Sequence, residues 1–409
     1  MSRVLIVGGG AAGMLAAVIA ARNGHKVEIF EKNEKLGKKV YITGKGRCNI
    51  TNACDRDTLF ANIVGNPKFL YSAFYGFNNY DMMDFLTELG LKIKTERGGR
   101  VFPASDKASD VIRVFQKEMQ RLGVTVNLHT AVKEILMEGK RCSGICLANH
   151  QKIEGDAVVV ATGGLSYPST GSTGDGYRFA KKLGHTVTEL EPGLVPFVTR
   201  EAWVKELQGI SLKNVSIEIY SGKKQIYSAF GEMLFTHFGV SGPIILSGSS
   251  LVGDYLKKGE LTLSIDLKAA LQKEQLEARI LREFEANQNK QIRHIMDLLL
   301  PRKMVPVLLK NIGILAEKRV NEITKAERIK IVEGLKDFRL TLIGCRGFSE
   351  AIITRGGICV SEINPATMES KKAEGVYFIG EVLDLDALTG GFNLQIAWST
   401  AYAAANAIN

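Results

Sequence analysis

The stretch Arg3–Gly13, which reads RVLIVGGGAAG, decides the fold of this chain. Its first half is a short apolar run rich in β-branched residues, and its second half fits the pattern GxGxxG. Small and aliphatic residues then continue to Asn23, and Gly24 is expected to end a helix. A second apolar run follows at Val27–Phe30. This order predicts a βαβ unit in which a glycine turn joins the first strand to the helix.

The glycine turn has the residue types that a dinucleotide phosphate requires. Gly8 permits the tight turn, Gly10 lets the backbone approach a pyrophosphate, and Gly13 lets the helix pack closely on the strand. The N–H groups at the start of the helix favour an anion. Glu31 ends the second strand, and its carboxylate can accept both hydroxyls of an adenosine ribose. The pattern predicts dinucleotide binding without a ribose 2′-phosphate; a purely structural turn is the alternative.

Four further stretches favour FAD over NAD. The loop Lys32–Asn49 is long and rich in glycine and cations, which suits a pyrophosphate plus a ring system. Ala161–Gly164 resembles the second flavin motif, and Gly380-Glu381 resembles the motif whose acid holds the ribitol. Gly390–Asn393 opens a predicted helix whose N-terminus would stabilise the anionic reduced ring near N1 and O2. There is no second GxGxxG, so a nicotinamide donor is expected to bind transiently.

Longer motifs carry a resemblance to a known family. They are TGKGRCNITN at Thr43–Asn52, SYPSTGSTGDGY at Ser166–Tyr177, FTHFGVSGP at Phe235–Pro243, Arg355–Gly357 with Glu362–Pro365, and GEVLDLDALTGGFNLQ at Gly380–Gln395. In this order they resemble the BaiN/RdsA-like flavoproteins, which belong to the glutathione-reductase-like superfamily with two dinucleotide-binding domains. The resemblance covers nearly the whole chain. It implies tightly bound FAD and an insertion made of a β-barrel and a helical bundle.

The resemblance implies a reaction class more clearly than a substrate. The activities ascribed to the family are reduction of bile-acid enones, oxidation of aminoacetone, and reduction of a uridine in large-subunit ribosomal RNA to dihydrouridine. The first and third are one reaction, in which a hydride from reduced flavin N5 adds to a C=C conjugated to a carbonyl and a proton follows. The protein must orient the alkene, polarise the carbonyl and supply the proton.

Three side chains are candidates for the catalytic groups. His237 is a candidate to donate to the carbonyl or to protonate carbon, with a structural role as the alternative. Arg47 is a candidate to polarise the carbonyl or to pair with an FAD phosphate. Cys48 is a candidate proton donor, because a thiol beside Lys45 and Arg47 can have a lowered pKa; packing against the isoalloxazine is the alternative.

The motifs together predict the residues that bind the cofactor. No spacing of cysteine, histidine or carboxylate residues predicts a metal site. The expected FAD-binding residues are Gly8, Gly10, Ala11, Ala12, Gly13, Glu31, Lys32, Lys39, Gly46, Arg47, Cys48, Val132, Ala161, Thr162, Gly163, Gly380, Glu381, Gly391, Phe392, Asn393 and Leu394.

The predicted fold class is α/β: a Rossmann-like FAD-binding domain with an inserted β-barrel and α-helical bundle. We expect the FAD-binding domain to be discontinuous, at residues 1–191 and 341–409, because neither end of the chain carries enough elements alone. Short β-like runs separated by glycine turns predict the barrel at 192–265. Residues 266–340 are rich in Glu, Lys, Arg and Leu and predict the helical part.

The composition limits the kinds of partner and the cellular compartment that we expect for this chain. The chain has 409 residues, with 53 Lys and Arg against 43 Asp and Glu, which gives a formal charge of +10 and excludes an acidic solvating protein. Positive charge concentrates at residues 32–47 and 266–350. No apolar run is long enough to span a bilayer, no signal peptide is expected, and the six cysteines lack a CxxC pair, so a reducing cytoplasm is expected.

Three hypotheses about function follow. The leading one is an FAD-dependent oxidoreductase that reduces a carbonyl-conjugated C=C with NAD(P)H as donor, favouring a uridine of large-subunit rRNA because of the charge distribution. The second is a small-molecule flavoenzyme, either an enone reductase for bile-acid-like steroids or an amine oxidase of the aminoacetone type. The third is a non-catalytic flavoprotein that binds RNA. The oligomeric state stays open.

Overall fold

The computed structural model describes all 409 residues. Its strands are β1 Arg3–Val7, β2 Lys26–Phe30, β3 Thr51–Asn52, β4 Ile93–Glu96, β5 Arg100–Pro103, β6 Thr125–Asn127, β7 Val132–Glu138, β8 Arg141–Leu147, β9 Lys152–Glu154, β10 Ala157–Val160, β11 Glu191–Gly193, β12 Phe197–Thr199, β13 Ser211–Ser221, β14 Lys224–Phe235, β15 Gly239–Ser241, β16 Leu261–Asp266, β17 Phe338–Cys345, β18 Ile353–Arg355 and β19 Val376–Phe378.

The α-helices follow the same numbering along the chain. They are α1 Ala11–Arg22, α2 Lys38–Ile42, α3 Arg56–Ala61, α4 Tyr71–Gly76, α5 Asn79–Glu88, α6 Ala108–Arg121, α7 Asp175–Lys182, α8 Pro243–Leu256, α9 Lys273–Ala286, α10 Ile292–Met296, α11 Met304–Asn311, α12 Lys325–Lys336 and α13 Phe392–Ala407. None of them combines the length and the apolar character that a bilayer crossing needs.

The first compact unit comprises Met1–Gly193 and Gly347–Asn409. Its centre is a parallel sheet in the order β19-β10-β1-β2-β6. The central strands β1 and β10 are almost entirely buried, as expected for a parallel sheet that is covered on both faces. Helices α1 and α13 consist largely of small residues and pack against each other, which lets their backbones approach closely.

The carboxyl ends of the parallel strands place the predicted cofactor residues at one edge. Strands β1, β2, β10 and β19 run in the same direction, so all four end on the same side of the sheet. This edge is where open α/β sheets bind their ligands. Directly beyond the strand ends lie Gly8, Glu31, Ala161 and, one residue further, Gly380.

Smaller antiparallel sheets complete the first unit. Strands β3, β5 and β4 form a three-stranded sheet, β7, β8 and β9 form another, and β11 pairs with β18. A buried indole helps to hold the C-terminal helix in place: Trp398 donates to the carbonyl of Ile50 at 3.0 Å and stacks on Phe115. The last helix therefore contributes to the core around the N-terminal elements.

The second compact unit is Leu194–Arg346. Six strands close into a barrel in the order β12-β15-β14-β13-β16-β17, with antiparallel pairing. Burial alternates along β16, so that Leu261, Leu263 and Ile265 point inward. Helices α9 to α12 share one hydrophobic core with the barrel. A capping box between Thr324 and Glu327 begins α12.

The fold class predicted from the sequence is confirmed, and two details differ. The region predicted to alternate only short strands and turns contains the 14-residue helix α8. Strand β17, which follows the helical segment, completes the barrel, because it pairs with both β16 and β12. The compact units divide at 193/194 and 346/347. The predicted three-part division of the chain stays a prediction.

Candidate functional site

The glycine turn after β1 has three glycines with different surroundings. Gly8 has φ +105°, and a Cβ there would lie 2.5 Å from the carbonyl oxygen of Ala161. A Cβ on Gly13 would overlap the carbonyl oxygen of Gly8. By contrast, a Cβ on Gly10 would meet no atom within 4 Å. The protein's own packing therefore requires Gly8 and Gly13, whereas the space at Gly10 is open to a ligand.

The carboxylate of Glu31 is held in a fixed orientation beside this turn. It is buried, and its Oε2 accepts from the backbone N–H of Gly9 at 2.8 Å. Its Oε1 accepts from the backbone and side-chain nitrogens of Asn33 at 2.9 and 2.7 Å. A carboxylate has about four lone-pair sites, and three of them are used, so Oε2 keeps capacity for one further donor such as a ribose hydroxyl.

The other strand ends meet the glycine turn. Gly8 packs on the Ala161 carbonyl, and a Cβ on Gly380 would lie 3.1 Å from the Cβ of Ala12. The hydroxyl oxygen of Thr162 is buried and has no hydrogen-bond partner. Val132 is the first residue of β7. Thr130, two residues before it, donates its backbone N–H to the carbonyl of Glu31. The predicted residues at these strand ends thus lie around one edge of the sheet.

Two predicted lysines form ion pairs within this unit. Lys39 Nζ lies 2.6 and 2.8 Å from the two carboxylate oxygens of Glu381. Glu381 also accepts from the backbone N–H of Thr354 at 2.9 Å and from the hydroxyl of Ser166 at 2.8 Å. Lys32 pairs with Asp175 at 2.6 Å. Lys39 and Glu381, which belong to separate sequence motifs, are therefore brought together by the fold.

Helix α13 begins directly after the Gly390-Gly391 pair that the sequence motif contains. Gly391 is its N-cap with φ +103°, and no side chain caps the helix there. The preceding loop is fixed by Asn393, whose side chain accepts from the N–H of Ala387 at 2.9 Å and donates to its carbonyl at 2.7 Å. Phe392 is buried, and Leu394 is partly buried. The helix therefore presents free N–H groups where the motif predicted an anionic ring edge.

Arg47 has different partners from those that the sequence suggested. Its guanidinium pairs with Glu96 and, at 2.6 Å, with Asp106. It also lies over the ring of Phe102 at 4.1 Å from the centroid. The short turn before it, which contains Gly46, has left-handed backbone. Because two carboxylates compensate its charge, Arg47 is a weaker candidate for an FAD phosphate or a substrate carbonyl than its position in the motif implied.

The environment of Cys48 contradicts the lowered pKa considered for its thiol. The side chain is fully buried, and this burial raises its pKa to about 12. A hydrogen bond with the Thr43 side chain opposes the increase in this pKa without reversing it. The geometry is that of a packed thiol and not of an activated one.

A labelling experiment tests this assignment of Cys48. In the native protein at pH 8, we expect iodoacetamide to leave Cys48 unmodified, because the thiol is buried and protonated. Peptide mass spectrometry after native and denatured labelling measures the difference. Cys359, which is partly exposed, is the internal control and should react first. Rapid native alkylation of Cys48 would contradict the packed assignment.

His237 lies in the second compact unit, whereas the predicted cofactor residues lie in the first. It is exposed in the connection between β14 and β15. Its ring contacts Phe238 edge to face, with centroids 4.9 Å apart. Its catalytic role stays a prediction.

Sequence reasoning missed two features beside the predicted site. Asp386 lies in the quoted C-terminal motif and is 3% exposed, and its Oδ2 has no hydrogen-bond partner. No signal in the sequence indicates this burial, which arises from packing of Asp386 against the distant Gly65. The second feature is the β4–β5 hairpin with Arg97 and Arg100, whose Gly98-Gly99 turn was the available signal.

The arrangement fits an extended dinucleotide. The first unit contains four features that suit such a ligand. They are the open space at Gly10, the two helix starts without side-chain caps, the fixed carboxylate of Glu31, and the buried Thr162 hydroxyl without a hydrogen-bond partner. Such helix N-termini are suited to a pyrophosphate and an anionic ring edge. The chain's residues therefore fit FAD.

Comparison with known proteins now decides the family. Residues 2–407 match the family described as HI0933-like protein Rossmann domain. The chain belongs to this family. The HI0933-like match confirms the resemblance to BaiN/RdsA-like flavoproteins, and the protein is an FAD-dependent oxidoreductase.

Two relatives align over essentially their full length with this HI0933-like chain. A 3-dehydro-bile acid Δ(4,6)-reductase of Clostridium scindens is 30% identical over 411 residues, covering 100% of this chain and 99% of the relative. A ribosomal RNA dihydrouridine synthase of Haemophilus influenzae is 32% identical over 412 residues, covering 100% of this chain and 98% of the relative. The two relatives are named for different substrates, and their sequence identities to this chain are similar.

A solved structure shows the same fold. The 3-ketosteroid-Δ4-(5α)-dehydrogenase of Rhodococcus jostii aligns with a TM-score of 0.56 and 13% identity. The alignment covers 99% of this chain and 96% of the other. At this identity the likeness concerns the fold alone.

Proposed function

We propose that this protein reduces a C=C bond conjugated to a carbonyl, with a uridine of large-subunit ribosomal RNA as its substrate and NAD(P)H as its electron donor. The observation that carries the proposal is the pair of full-length relatives. One is named as a reductase of a bile acid and the other as a synthase of dihydrouridine in ribosomal RNA. A hydride added to one alkene carbon and a proton added to the other account for both products.

The roles of the chain's own residues follow from the site. Bound FAD would supply the hydride from its reduced ring. The backbone at Gly10 and the start of α1 would hold the pyrophosphate, and Glu31 the adenosine ribose. Glu381, positioned by Lys39, would hold the ribitol, and the uncapped start of α13 would stabilise negative charge on the ring. His237 stays the candidate donor to the substrate carbonyl.

The choice of RNA over a small molecule rests on charge. The chain carries a formal charge of +10, and its positive charge concentrates at residues 32–47 and 266–350. Arg47 adds little to this excess, because two carboxylates compensate its charge. Single-stranded RNA around a reacting base needs several phosphate contacts, whereas a steroid acid offers one carboxylate. A bile-acid-like enone is the second candidate, because the Clostridium scindens relative is similarly close.

Reconstitution with both substrates tests the proposal. The flavin-loaded protein with NADH or NADPH is incubated anaerobically with large-subunit rRNA from cells that lack the gene, and in parallel with a 3-oxo-Δ4 bile acid. We expect dihydrouridine in one rRNA segment by mass spectrometry. We also expect bleaching of the flavin by at least one nicotinamide before substrate is added.

The other outcomes discriminate among the alternatives. Turnover of the steroid without any change in rRNA would contradict the RNA substrate and favour the enone reductase. Bleaching by aminoacetone but by neither nicotinamide would favour an amine oxidase. Salt-sensitive RNA binding without flavin turnover would favour a non-catalytic role.

A further inference from the structure

The hairpin of β4 and β5 is tied to the start of helix α13. Its tip contains Gly98 and Gly99, both with positive φ. The buried side chain of Asn52 donates to the carbonyl of Gly98 and to the carbonyl of Gly390, each at 3.0 Å. One amide therefore fixes the hairpin tip next to the glycine pair that opens the proposed flavin-facing helix.

Basic side chains gather around one aromatic ring on this hairpin. The guanidinium of Arg47 lies 4.1 Å and that of Arg100 lies 6.0 Å from the centroid of Phe102. The loop that carries Lys45 packs on the same ring, because a Cβ on Gly44 would lie 3.4 Å from Phe102 Cε1. The loop Lys32–Asn49 and the β4–β5 hairpin thus lie together around Phe102 and carry their cations on one surface.

The cations on this surface fall into two groups. Glu96 and Asp106 pair with Arg47, and Asp106 also pairs with Lys94 at 2.6 Å. The remaining three cations form no salt bridge with a carboxylate, and we call them the hairpin cluster. The hairpin cluster is Lys45, Arg97 and Arg100.

The hairpin cluster is accessible to a ligand. Lys45 and Arg97 are exposed, and Arg100 is half-buried with its Nε bonded to the carbonyl of Arg97 at 3.2 Å. Arg100 lies opposite Glu96 in the β4–β5 ladder and adds to the lowering of that carboxyl's pKa by Arg47, but it forms no salt bridge with it. The cluster therefore adds cations without a salt bridge next to the helix start. An exposed arginine fork of this kind suits phosphate oxygens.

We propose that the hairpin cluster binds backbone phosphates of the RNA that flanks the reacting uridine. This inference rests on the proposed function and names the part of the chain that would distinguish RNA from a small enone. A base can reach a flavin only when it is unstacked, so the neighbouring phosphates must be held while the base is extruded. Cations beside the flavin-facing helix would do this.

Paired charge-removing variants test the inference. The test variant is Arg97→Gln/Arg100→Gln, and the matched control is Arg141→Gln/Lys152→Gln, two exposed cations on β8 and β9. The readouts are the affinity for a labelled rRNA fragment across a salt series, the dihydrouridine yield, flavin content and the rate of flavin reduction by the nicotinamide. Flavin content and reduction rate report whether each variant is folded.

The expected results separate the hairpin from the general charge of the protein. Because the test variant removes two cations that would each bind a phosphate, the slope of log affinity against log salt should fall by about 1.4 for single-stranded RNA. We expect at least about tenfold weaker RNA binding and a matching decrease in dihydrouridine, with flavin reduction unchanged. The control should keep wild-type affinity.

Two outcomes have distinct meanings. If the test and control variants bind RNA equally, the hairpin inference is overturned, whatever the activity of the wild-type protein. If the wild-type protein leaves rRNA uridine unchanged, the proposed function fails, and the affinity comparison still decides whether the hairpin cluster is an RNA-binding surface.

Discussion

Replacing Gly10 by alanine should leave the fold intact and yet release the flavin. A Cβ at this position meets no protein atom within 4 Å, and the residue has φ −79°, so the substitution causes no strain. The methyl group would occupy the space through which a pyrophosphate approaches the backbone. Loss of one or two charge-assisted hydrogen bonds weakens binding by about 10- to 100-fold.

Gly13→Ala is the matched comparison for this prediction. There the new methyl would overlap the carbonyl oxygen of Gly8, so the first strand and α1 must separate. We expect reduced stability together with flavin loss. Flavin absorbance after gel filtration measures retention, and thermal unfolding of the flavin-free proteins measures stability. Full flavin retention by Gly10→Ala would show that the pyrophosphate lies elsewhere.

The N-terminal βαβ unit was predictable because its signals are local. The apolar run, the glycine spacing and the acid at the second strand end all lie between Arg3 and Glu31. The structure aligns β1 and β2 in parallel and ends them beside each other. The ATGG motif was equally recognisable, because it directly follows the buried strand β10, and the GE motif follows the buried strand β19 of the same sheet after one intervening residue.

The partners of charged side chains were not predictable from their neighbours in sequence. Arg47 stands in a basic loop, which suggested a phosphate ligand, yet it pairs with Glu96 and Asp106, about 50 and 60 residues away. The lowered thiol pKa considered for Cys48 failed for the same reason, since burial depends on tertiary packing. Local charge counts do not show which cations remain uncompensated.

Helix α8 was missed because its composition is ambiguous. Its sequence, PIILSGSSLVGDYL, mixes β-branched residues, glycines and serines that also suit short strands and turns. In the structure Ser249 and Ser250 on this helix accept from the backbone N–H groups of Val195 and Leu194. Those partners lie more than 50 residues away in sequence, and no periodicity within the helix reveals them.

Asp386→Asn should remove a pH dependence of stability from the first unit. The carboxyl group is 3% exposed, its Oδ2 has no partner, and its Oδ1 lies where a Cβ on Gly65 would overlap it. Burial, with a smaller contribution from Asp384, raises its pKa to about 6, against an ordinary 3.8. Arg355 opposes the shift without reversing it.

The direction of the effect follows from the raised pKa. The folded state binds the proton more tightly than the unfolded state, so the stabilisation is fully present below pH 3.8 and is lost as the pH rises through 6. A shift of this size corresponds to about 3 kcal/mol between the two limits. Asparagine stays neutral at both limits, so the variant should gain about 3 kcal/mol relative to wild type as the pH increases from below 4 to 8.

Comparing this change across pH isolates the titration. Any constant cost of burying an amide is the same at each pH and cancels, as do the other carboxylates that both proteins share. Thermal or urea unfolding of the flavin-free proteins between pH 3 and 8 measures the difference. Asp84→Asn, at an exposed position on α5, is the control and should follow the wild-type profile. If the Asp386→Asn profile also runs parallel to wild type, Asp386 is solvated or paired in solution, and the assignment of a raised pKa to its buried carboxyl group is wrong.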